Sequence, residues 1–319
     1  MAISTSSHLE HFEKRGYAVL RGLLDPESNF RALHSEYGTL LAALASQWHA
    51  EGKLSSAYAG FDLGARFAAV FSEMDPSCMQ YFDISLPKFR VTEETPIHLG
   101  PAVFNLMRNP RLLDAVETFM GPEVYSNPIQ RVRIRPPQKL FLREHFNPFA
   151  LATPWHQDLS VYLPEADDSN ILSVWIPITE ATPDNGCLLV IPGSHKGGLL
   201  PHATASPGGA IKMGAHITDS LIDSRQATAI PMSPGDVLFF HKKTIHAATP
   251  NRSDGTRWSI DFRYNPIGQP TGRPTFPGFV ARSRRHPEQE LTDPEAWAQL
   301  WRDCRRRLAA SGEVMLTRF

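Results

Sequence analysis

Residues 171–193 read ILSVWIPITEATPDNGCLLVIPG, two short apolar runs separated by the turn sequence PDNG. Runs of this length, bounded by Pro, Asp, Asn and Gly, predict strands joined by a tight turn. The same pattern recurs on both sides of this stretch. Further runs are IQRVRIR (129–135), DVLFF (236–240) and RWSIDFRY (257–264), and further turn sequences are PGSHKGG (192–198), SPGD (233–236) and PNRSDG (250–255). Many short strands with Gly- and Pro-rich turns predict a sandwich or barrel rather than a parallel sheet.

Helical patterns precede this β-rich region. Asp25-Pro26 is typical of a helix start, with Asp as the N-cap and Pro at the first helical position. A second helical stretch runs from about 101 to 120 and ends at Gly121-Pro122. The first helix carries one apolar face, formed by Leu33, Tyr37, Leu40, Leu41 and Leu44.

A third helical pattern follows the β-rich region. Thr292-x-x-Glu295 resembles a capping box and precedes another apolar face. Because helices flank one β core, we predict a single domain over 1–319. Its expected parts are a helical segment at about 1–123, a β core at about 124–270 and a C-terminal helix at about 292–310.

The composition predicts a soluble globular protein. Hydrophobic residues make up 42% of the 319 residues, and the formal net charge is −1, which gives no reason to expect nucleic acid or a membrane as a partner. The three cysteines, Cys78, Cys187 and Cys304, are widely spaced and suit a reducing compartment. The N-terminal sequence has no apolar signal-peptide core, and no run of about 18 apolar residues occurs. We therefore expect a cytoplasmic protein with a small-molecule substrate.

The sequence TPWHQD (153–158) carries the first chemical signal. In a strand, His156 and Asp158 would project to the same side, away from Trp155 and Gln157. Two histidines and one carboxylate on one face of an ion form the triad of non-haem Fe(II) oxygenases. His246, which follows the strand-like DVLFF, is the best third ligand. Alternatively, His156 is a buried, hydrogen-bonded histidine and Asp158 caps a strand end.

Several motifs together resemble the phytanoyl-CoA dioxygenase (PhyH) family of Fe(II)/2-oxoglutarate-dependent oxygenases. They are FEKRGYAVLRGLL (12–24), RPP (135–137), PWHQD (154–158), ILSVWIPI (171–178), DNGCLLVIPGSHKG (184–197) and PGDVLFFHKKTIHAATPNRSDGTRWSIDFRY (234–264). The resemblance implies a mainly β fold with flanking helices, in which the core is a cupin-like double-stranded β-helix, or jelly-roll. It also implies that His156, Asp158 and His246 hold Fe(II), with 2-oxoglutarate as cofactor and O2 as co-substrate.

The resemblance assigns two further residues to 2-oxoglutarate. Arg257 follows His246 at the family spacing and would bind the distal carboxylate, a role that suits a guanidinium. Trp175 would line the cofactor pocket, although simple core packing is an alternative. Relatives often carry a serine two residues after the distal histidine, whereas this chain has Ala248. Thr249 or another residue would then supply that contact.

A row of three arginines departs from the family pattern. Arg131, Arg133 and Arg135 alternate along one strand and share a side. If that side faces the cavity, the arginines bind an anionic substrate or the cofactor, and we predict Arg131 as a cofactor-binding residue. The alternative is a solvated or salt-bridged face.

Other polar residues near the motifs have no spacing that suggests a ligand set. Asp261 and Arg263 share the side of Arg257 and are expected to pair with each other structurally. His145, His195, His202, His216 and His241 are the histidines of this group. Segments 45–100 and 138–152 are expected to form a lid or substrate wall.

The resemblance implies an oxidation in which 2-oxoglutarate is converted to succinate. The predicted reaction is hydroxylation, desaturation or ring closure at an unactivated C–H bond of a small or medium metabolite, in secondary metabolism. Related halogenases replace the triad carboxylate by a small residue, so Asp158 disfavours halogenation. The alternatives are an acyl-CoA 2-hydroxylase, a non-catalytic jelly-roll metabolite-binding protein, and a jelly-roll isomerase or hydrolase with another divalent metal.

Overall fold

Two antiparallel β-sheets form the centre of the computed structural model, which describes residues 5–87, 90–141, 152–203, 215–313 and 318. The strands are β1 (Tyr17–Leu20), β2 (Glu123–Arg135), β3 (Leu172–Pro177), β4 (Leu188–Val190), β5 (His202–Ala203), β6 (His216–Ile217), β7 (Thr228–Ile230), β8 (Val237–His241), β9 (His246–Ala248), β10 (Arg257–Pro266) and β11 (Phe279–Ser283). The helices are α1 (Thr5–Arg15), α2 (Pro26–Ala50), α3 (Leu63–Glu73), α4 (Pro101–Met107), α5 (Pro110–Met120) and α6 (Pro294–Ser311).

The strand order is that of a jelly-roll. The major sheet has the order β1-β8-β3-β10-β2-β11, and the minor sheet has the order β7-β4-β9. Strands β5 and β6 form a separate pair. All named pairings are antiparallel. The predicted fold class, a mainly β core of jelly-roll type with flanking helices, is confirmed.

Alternation along the strands places apolar side chains on both faces of the major sheet. In β8, Val237 and Phe239 belong to the apolar cluster shared with the helices. Leu238 and Phe240 belong to a second cluster, which also contains Leu188 of the minor sheet. A strand buried on both faces reads as a continuous apolar run, which explains why DVLFF shows no polar alternation.

The first predicted helix is confirmed and forms α2. The Asp25 side chain accepts hydrogen bonds from the backbone N–H groups of Glu27 and Ser28, and Pro26 occupies the first turn. These contacts satisfy backbone donors that have no partner within the helix. Four members of the predicted apolar face are buried, namely Leu33, Tyr37, Leu41 and Leu44. The fifth, Leu40, is partly buried and packs against the same apolar cluster.

The helical stretch predicted at 101–120 is two helices, so the prediction of one continuous helix was wrong. Helix α4 ends before Asn109, whose side chain accepts hydrogen bonds from the backbone N–H groups of Arg111 and Leu112. Pro110 begins α5 and has no N–H to continue the preceding helix. An Asn-Pro pair thus marks a new helix start inside the apolar pattern.

The C-terminal helix is present, but its cap differs from the prediction. Asp293 is the N-cap of α6, and its side chain accepts from the backbone N–H of Glu295. The predicted cap, Thr292, precedes it by one residue. Asp followed by Pro294 repeats the start of α2, so the same local pattern begins both long helices.

The helices and the major sheet share one apolar cluster. Strands β1 and β11 belong to this sheet, although they lie outside the core expected at about 124–270. The single-domain organisation over 1–319 stays a prediction. No helix in the described part of the chain is long and apolar enough to span a bilayer.

Candidate metal centre and its cavities

Two histidines from distant parts of the chain are joined directly by backbone hydrogen bonds. The N–H of His156 donates to the carbonyl of His246 over 2.9 Å, and the N–H of His246 donates back over 3.0 Å. This isolated antiparallel bridge lies at the start of β9. It places the two imidazole rings 4.1 Å apart, measured between their centroids.

Asp158 completes the cluster, although not from a strand. The residue begins a short 3-10 turn, so the prediction of a regular strand through both ligands was wrong. Its Oδ1 nevertheless lies 3.7 Å from Nε2 of His156 and 3.8 Å from Nε2 of His246. The three ligand atoms all lie within 4.8 Å of one another. Gln157 points the other way, as predicted, and its amide donates to the carbonyls of Gly198 and Lys243.

Both imidazoles direct the same nitrogen toward the cluster. Nδ1 of His156 lies 2.9 Å from the carbonyl of Pro154, and Nδ1 of His246 lies 3.0 Å from the carbonyl of Thr244. A carbonyl oxygen can only accept a hydrogen bond, so Nδ1 carries the hydrogen and donates it, and Nε2 keeps its lone pair. Burial, together with the neighbouring His246, lowers the pKa of His156 to about 3. Burial also lowers the pKa of His246. Neutral imidazoles are the form that binds metal.

Asp158 is held by two residues that the sequence analysis did not assign to the site. The Ser173 hydroxyl donates to Oδ2, and the Arg263 guanidinium donates to both carboxylate oxygens over 3.0 to 3.2 Å. Burial raises the pKa of Asp158, but Arg263 and the two histidines outweigh burial and lower it below its usual value. The carboxylate therefore stays ionised and fixed in orientation.

Arg263 also connects Asp158 to a longer chain of charges. It pairs with Asp261, as predicted, and Asp261 pairs with Arg133 over 2.8 Å. The sequence pattern gave the Asp261–Arg263 pair because these residues alternate in β10. The contact of Arg263 with Asp158 depends on the pairing of β10 with β3, in which Arg263 lies opposite Ser173. The sequence does not specify this pairing.

The predicted cofactor residues Arg257 and Trp175 are neighbours. The guanidinium carbon of Arg257 lies 5.7 Å from the centroid of the Trp175 ring, a cation–π arrangement. Arg257 is 2% exposed, and its Nη1 donates to the Ser259 hydroxyl. Among the described residues, its buried Nε has no hydrogen-bond partner. Burial, and then the charge of Arg133, lower the pKa of Arg257 to about 9. An anion placed here would relieve both effects.

Gly186, which the sequence analysis did not single out, makes room for this arginine. Its φ of +106° is accessible to glycine and strained for other residues. A Cβ at this position would lie 3.2 Å from Nε of Arg257 and 3.2 Å from the carbonyl of Thr249. The Asn-Gly turn in PDNG was the available signal.

Two cavities meet at the cluster. The larger holds about 340 Å³ and includes His156 and Asp158 in its lining. The smaller holds about 20 Å³ and is lined by His156, His246, Trp175, Ala248 and Arg257. The two cavities share four lining residues, which are Arg133, Thr153, His156 and Arg263.

The three alternating arginines of β2 all line the larger cavity. Arg133 pairs with Asp261, Arg131 pairs with Asp83, and Arg135 donates to the Thr153 hydroxyl over 2.9 Å. Arg131, which was predicted to bind the cofactor, therefore lines the larger cavity. The other two predicted cofactor residues, Arg257 and Trp175, line the smaller one. Ala248 lines the smaller cavity, and among the described residues Thr249 does not.

The remaining predicted residues lie around this centre or outside the described part. Nε2 of His202 accepts a hydrogen bond from the backbone N–H of Gln157, between the two ligands of TPWHQD. The rings of His195 and His241 lie 5.5 Å apart, measured between centroids, and are tilted by 55° to each other. From segment 45–100, Asp83 and Ser85 line the larger cavity. His145 and residues 142–151 of segment 138–152 lie outside the described residues.

This donor set suits a divalent first-row ion. Two ligands that each lie about 2.1 Å from an ion can be no more than roughly 4.2 Å apart, and the carboxylate-to-histidine distances satisfy this limit. Two neutral imidazoles and one carboxylate form the facial set of non-haem iron oxygenases. Among the described residues, one group of His, Cys, Asp or Glu side chains has a geometry that could hold a metal ion, and it consists of these three residues.

Comparisons with known proteins identify the family of the chain. The model of the phytanoyl-CoA dioxygenase (PhyH) family matches residues 12–259. A probable phytanoyl-CoA dioxygenase of Caenorhabditis elegans is 32% identical over 166 residues, covering 51% of each protein. The 1-deoxypentalenic acid 11-beta-hydroxylase of Streptomyces exfoliatus is 26% identical over 268 residues, covering 82% of this chain and 81% of the hydroxylase. The chain spans about half the length of the phytanoyl-CoA dioxygenases that it matches.

Solved structures with the same fold include a non-heme monooxygenase, ThoJ. It has a TM-score of 0.59 at 19% identity, covering 96% of this chain and 99% of ThoJ. EvdO2 from Micromonospora carbonacea, solved with 2-oxoglutarate, has a TM-score of 0.50 at 23% identity, covering 82% of this chain and 90% of EvdO2. At these identities the likeness shows the fold. The family resemblance drawn from the sequence motifs is confirmed.

Proposed function

Because the chain belongs to the phytanoyl-CoA dioxygenase family, we propose that it is an Fe(II)/2-oxoglutarate-dependent oxygenase. In this proposal His156, Asp158 and His246 hold Fe(II) through two imidazole Nε2 atoms and one carboxylate oxygen. The observation that carries it is the convergence of these three atoms beside a buried arginine that can bind a carboxylate. Arg263 and Ser173 would keep the aspartate ionised and oriented toward the metal.

Arg257 would bind the distal carboxylate of 2-oxoglutarate. Its guanidinium offers a planar fork of donors, and its buried Nε has no hydrogen-bond partner in the described part of the chain. Trp175 would hold the guanidinium from one side, while Ser259 accepts from Nη1. Ala248 offers no hydroxyl, so the arginine would carry this contact without the serine found in relatives. Bound together, Fe(II) and 2-oxoglutarate would supply O2 activation: one oxygen atom oxidises a C–H bond of the substrate, and the other enters succinate as 2-oxoglutarate loses carbon dioxide.

Cofactor binding would require one side chain to move. A cavity of about 20 Å³ holds roughly one water molecule and is too small for 2-oxoglutarate. Arg133 borders both cavities, and its side chain is 33% exposed. A rotation of this long, partly exposed side chain would join the smaller cavity to the larger one. Of the other shared residues, His156 and Arg263 contact Asp158, and Thr153 is hydrogen-bonded to Ala248 and Arg135.

We propose hydroxylation of a small or medium metabolite as the reaction, with desaturation and ring closure as other outcomes of the same oxidation. The similar Streptomyces exfoliatus protein is a hydroxylase of 1-deoxypentalenic acid and matches most of the chain. The larger cavity of about 340 Å³ lies in the range of small-ligand pockets. Asp158 fills the third ligand position, so hydroxylation is favoured over halogenation.

The direct test is turnover under controlled oxygen. Protein purified anaerobically is loaded with Fe(II), exposed to O2, and assayed for conversion of 2-oxoglutarate to succinate across a metabolite panel. We expect substrate-stimulated succinate formation and a product heavier by one oxygen. Phytanoyl-CoA and other acyl-CoA esters belong in the panel, because acyl-CoA 2-hydroxylation is the alternative within the family. Absence of both 2-oxoglutarate binding and turnover would reject the proposal in favour of a binding protein or an enzyme with another metal.

A further inference from the structure

The chain on both sides of Asp158 is attached to the turn that follows β8. The side-chain amide of Gln157 donates to the carbonyl of Lys243 over 2.9 Å. The backbone N–H of Leu159 donates to the carbonyl of Lys242, also over 2.9 Å. This turn leads directly into β9, which carries the second histidine ligand. The two segments that supply the metal ligands therefore hold each other through consecutive carbonyl groups.

The side chain of Lys242 reaches further along the segment that begins at Asp158. We call residues 158–171, which run from Asp158 to the start of β3, the aspartate loop. Nζ of Lys242 donates to the carbonyl of Ala166 over 2.9 Å and to that of Asp167 over 2.6 Å. It also donates to the carbonyl of Ser169. An ammonium group has three donors, so these three carbonyls can take all of its hydrogens.

The ammonium group of Lys242 is charged although it is buried. Burial, and then the charge of Lys243, lower the pKa of Lys242 to about 8, while Asp167 and Asp168 oppose this shift. The group therefore keeps its proton at pH 7. A buried charge is unfavourable unless polar groups surround it, and the three carbonyl dipoles of the aspartate loop supply them. The lysine and the loop thus stabilise each other in one arrangement.

Other contacts hold the aspartate loop to the segment after β10. The Ser169 hydroxyl donates to the carbonyl of Pro270 over 2.8 Å, and the N–H of Leu163 donates to the carbonyl of Gly272 over 3.0 Å. These contacts do not involve the turn between β8 and β9. The ammonium of Lys242 adds the connection between the far end of the loop and that turn, and hence between the two ligand-bearing segments.

We propose that Lys242 is a positioning residue for metal binding, whose ammonium holds the aspartate loop so that Asp158 meets the two histidines. The inference rests on the proposed function, because it takes these three residues as the ligands of the metal. Lys242 would act through the loop backbone and would not touch the ion. Groups that orient metal ligands commonly change metal affinity by about 10- to 100-fold when they are replaced.

A purely electrostatic effect of Lys242 predicts the opposite result. An ammonium group repels a nearby divalent cation, so removal of its charge alone would strengthen metal binding. Loss of positioning would weaken metal binding. The adjacent Lys243 provides the matched control, because the same substitution there removes a neighbouring charge and leaves the Lys242 ammonium on its three carbonyls.

A purely structural role of Lys242 predicts lower stability with unchanged metal affinity. Arg282 offers the control for this alternative. It lies on β11, at the edge of the major sheet, and pairs with Asp114 and Glu117 of α5. Arg282→Met should therefore lower the stability of the protein without disturbing the aspartate loop.

The experiment measures Co(II) binding to wild-type, Lys242→Met, Lys243→Met and Arg282→Met proteins. Full-length, metal-free protein is titrated with Co(II), whose visible absorption gives the dissociation constant and reports the geometry of the ligands. Hydrogen exchange of the metal-free proteins, followed by mass spectrometry, measures how firmly the aspartate loop is held. Urea unfolding gives the stability of each variant, and the titrations are done under conditions in which every variant is folded.

We expect Lys242→Met to bind Co(II) roughly tenfold or more weakly than the wild-type protein. The absorption spectrum of its bound Co(II) should change, and its aspartate loop should exchange faster. Lys243→Met should bind Co(II) as tightly as the wild-type protein or more tightly. Arg282→Met should lose stability and keep wild-type Co(II) affinity.

Unchanged or tighter Co(II) binding by Lys242→Met would overturn the inference. An equal loss of Co(II) affinity in Arg282→Met would also overturn it, because the loss would then follow stability rather than the loop. If Lys242→Met does not fold, Lys242→Gln decides the question, since its amide keeps two donors; unchanged Co(II) affinity in that variant would overturn the inference. Failure of wild-type protein to bind Co(II) would overturn the proposed function, and the role of Lys242 with it.

Discussion

Replacement of Arg257 by methionine separates cofactor binding from folding. In the described part of the chain, the guanidinium contacts the Ser259 hydroxyl and the Trp175 ring, and neither group carries a charge. Burial lowers the pKa of Arg257, so its charge is unfavourable until an anion binds. We therefore expect Arg257→Met to change the free energy of unfolding of the metal-free protein by less than about 1 kcal/mol.

The effect on 2-oxoglutarate binding should be much larger. A buried, charge-assisted contact with a carboxylate contributes about 3 kcal/mol, or roughly 150-fold in affinity. A ligand at 100 times its dissociation constant stabilises the folded protein by about 2.7 kcal/mol. After a 150-fold loss of affinity, the same concentration stabilises the variant by only about 0.3 kcal/mol.

The assay is urea unfolding of wild-type and Arg257→Met protein with Ni(II), with and without 2-oxoglutarate. Arg306→Met, on the surface of α6, is the control and should keep the full stabilisation. Equal stabilisation of wild-type and Arg257→Met protein by 2-oxoglutarate would refute the role given to Arg257. A large loss of stability in the absence of ligand would show that the arginine serves folding instead.

Three further predictions concern the surroundings of the site. Arg263→Met leaves Asp158 and Asp261 buried without their shared cation, so the free energy of unfolding of the metal-free protein, measured in urea, should fall by about 3–5 kcal/mol. The surface control Arg284→Met should lower it by less than about 1 kcal/mol. Equal losses in the two variants would contradict this account. Gly186→Ala places a side chain at a positive-φ position next to Arg257. The free energy of unfolding should fall by about 1–3 kcal/mol, and 2-oxoglutarate should bind more weakly. An unchanged urea midpoint together with unchanged affinity would argue against this prediction. Burial, followed by His195 and the two adjacent lysines, lowers the pKa of His241 to about 4. Because the unfolded chain takes up this proton first, the stability of the protein falls as the pH drops from about 6.5 to 4. His241→Gln should therefore lose less stability than wild-type protein between pH 7 and pH 5, whereas identical pH slopes would count against a buried, neutral imidazole.

The sequence was sufficient for the fold class, and it named the three side chains that meet at the candidate metal centre. Short apolar runs and Gly/Pro turns are local signals, and they predict strands without knowledge of their partners. The family motifs named His156, Asp158 and His246, and the structure brings these side chains together. The 3-10 turn that begins at Asp158 was missed, because the short spacing from His156 to Asp158 does not distinguish a strand from a turn.

The environment of the ligands depends on strand register, which the sequence does not specify. Arg263 reaches Asp158 because β10 lies beside β3, with Arg263 opposite Ser173. The sequence placed Arg131, Arg133 and Arg135 on one side of a strand, but only the pairing of β2 with β10 shows that Arg135 lies opposite Arg257 and Arg131 opposite Asp261. The break between α4 and α5 was visible in Asn109-Pro110, yet the apolar periodicity continued across it.

The most direct test of the central claim is an anaerobic titration with Fe(II) and 2-oxoglutarate. The visible charge-transfer absorption of the Fe(II)–2-oxoglutarate chelate reports whether the metal and cofactor bind together. We predict saturation at one equivalent of Fe(II) in the wild-type protein, loss of the absorption in His156→Ala, and a normal titration in Arg306→Gln. No chelate absorption in the wild-type protein, or an unchanged titration in His156→Ala, would contradict the assignment of His156, Asp158 and His246 as the iron site.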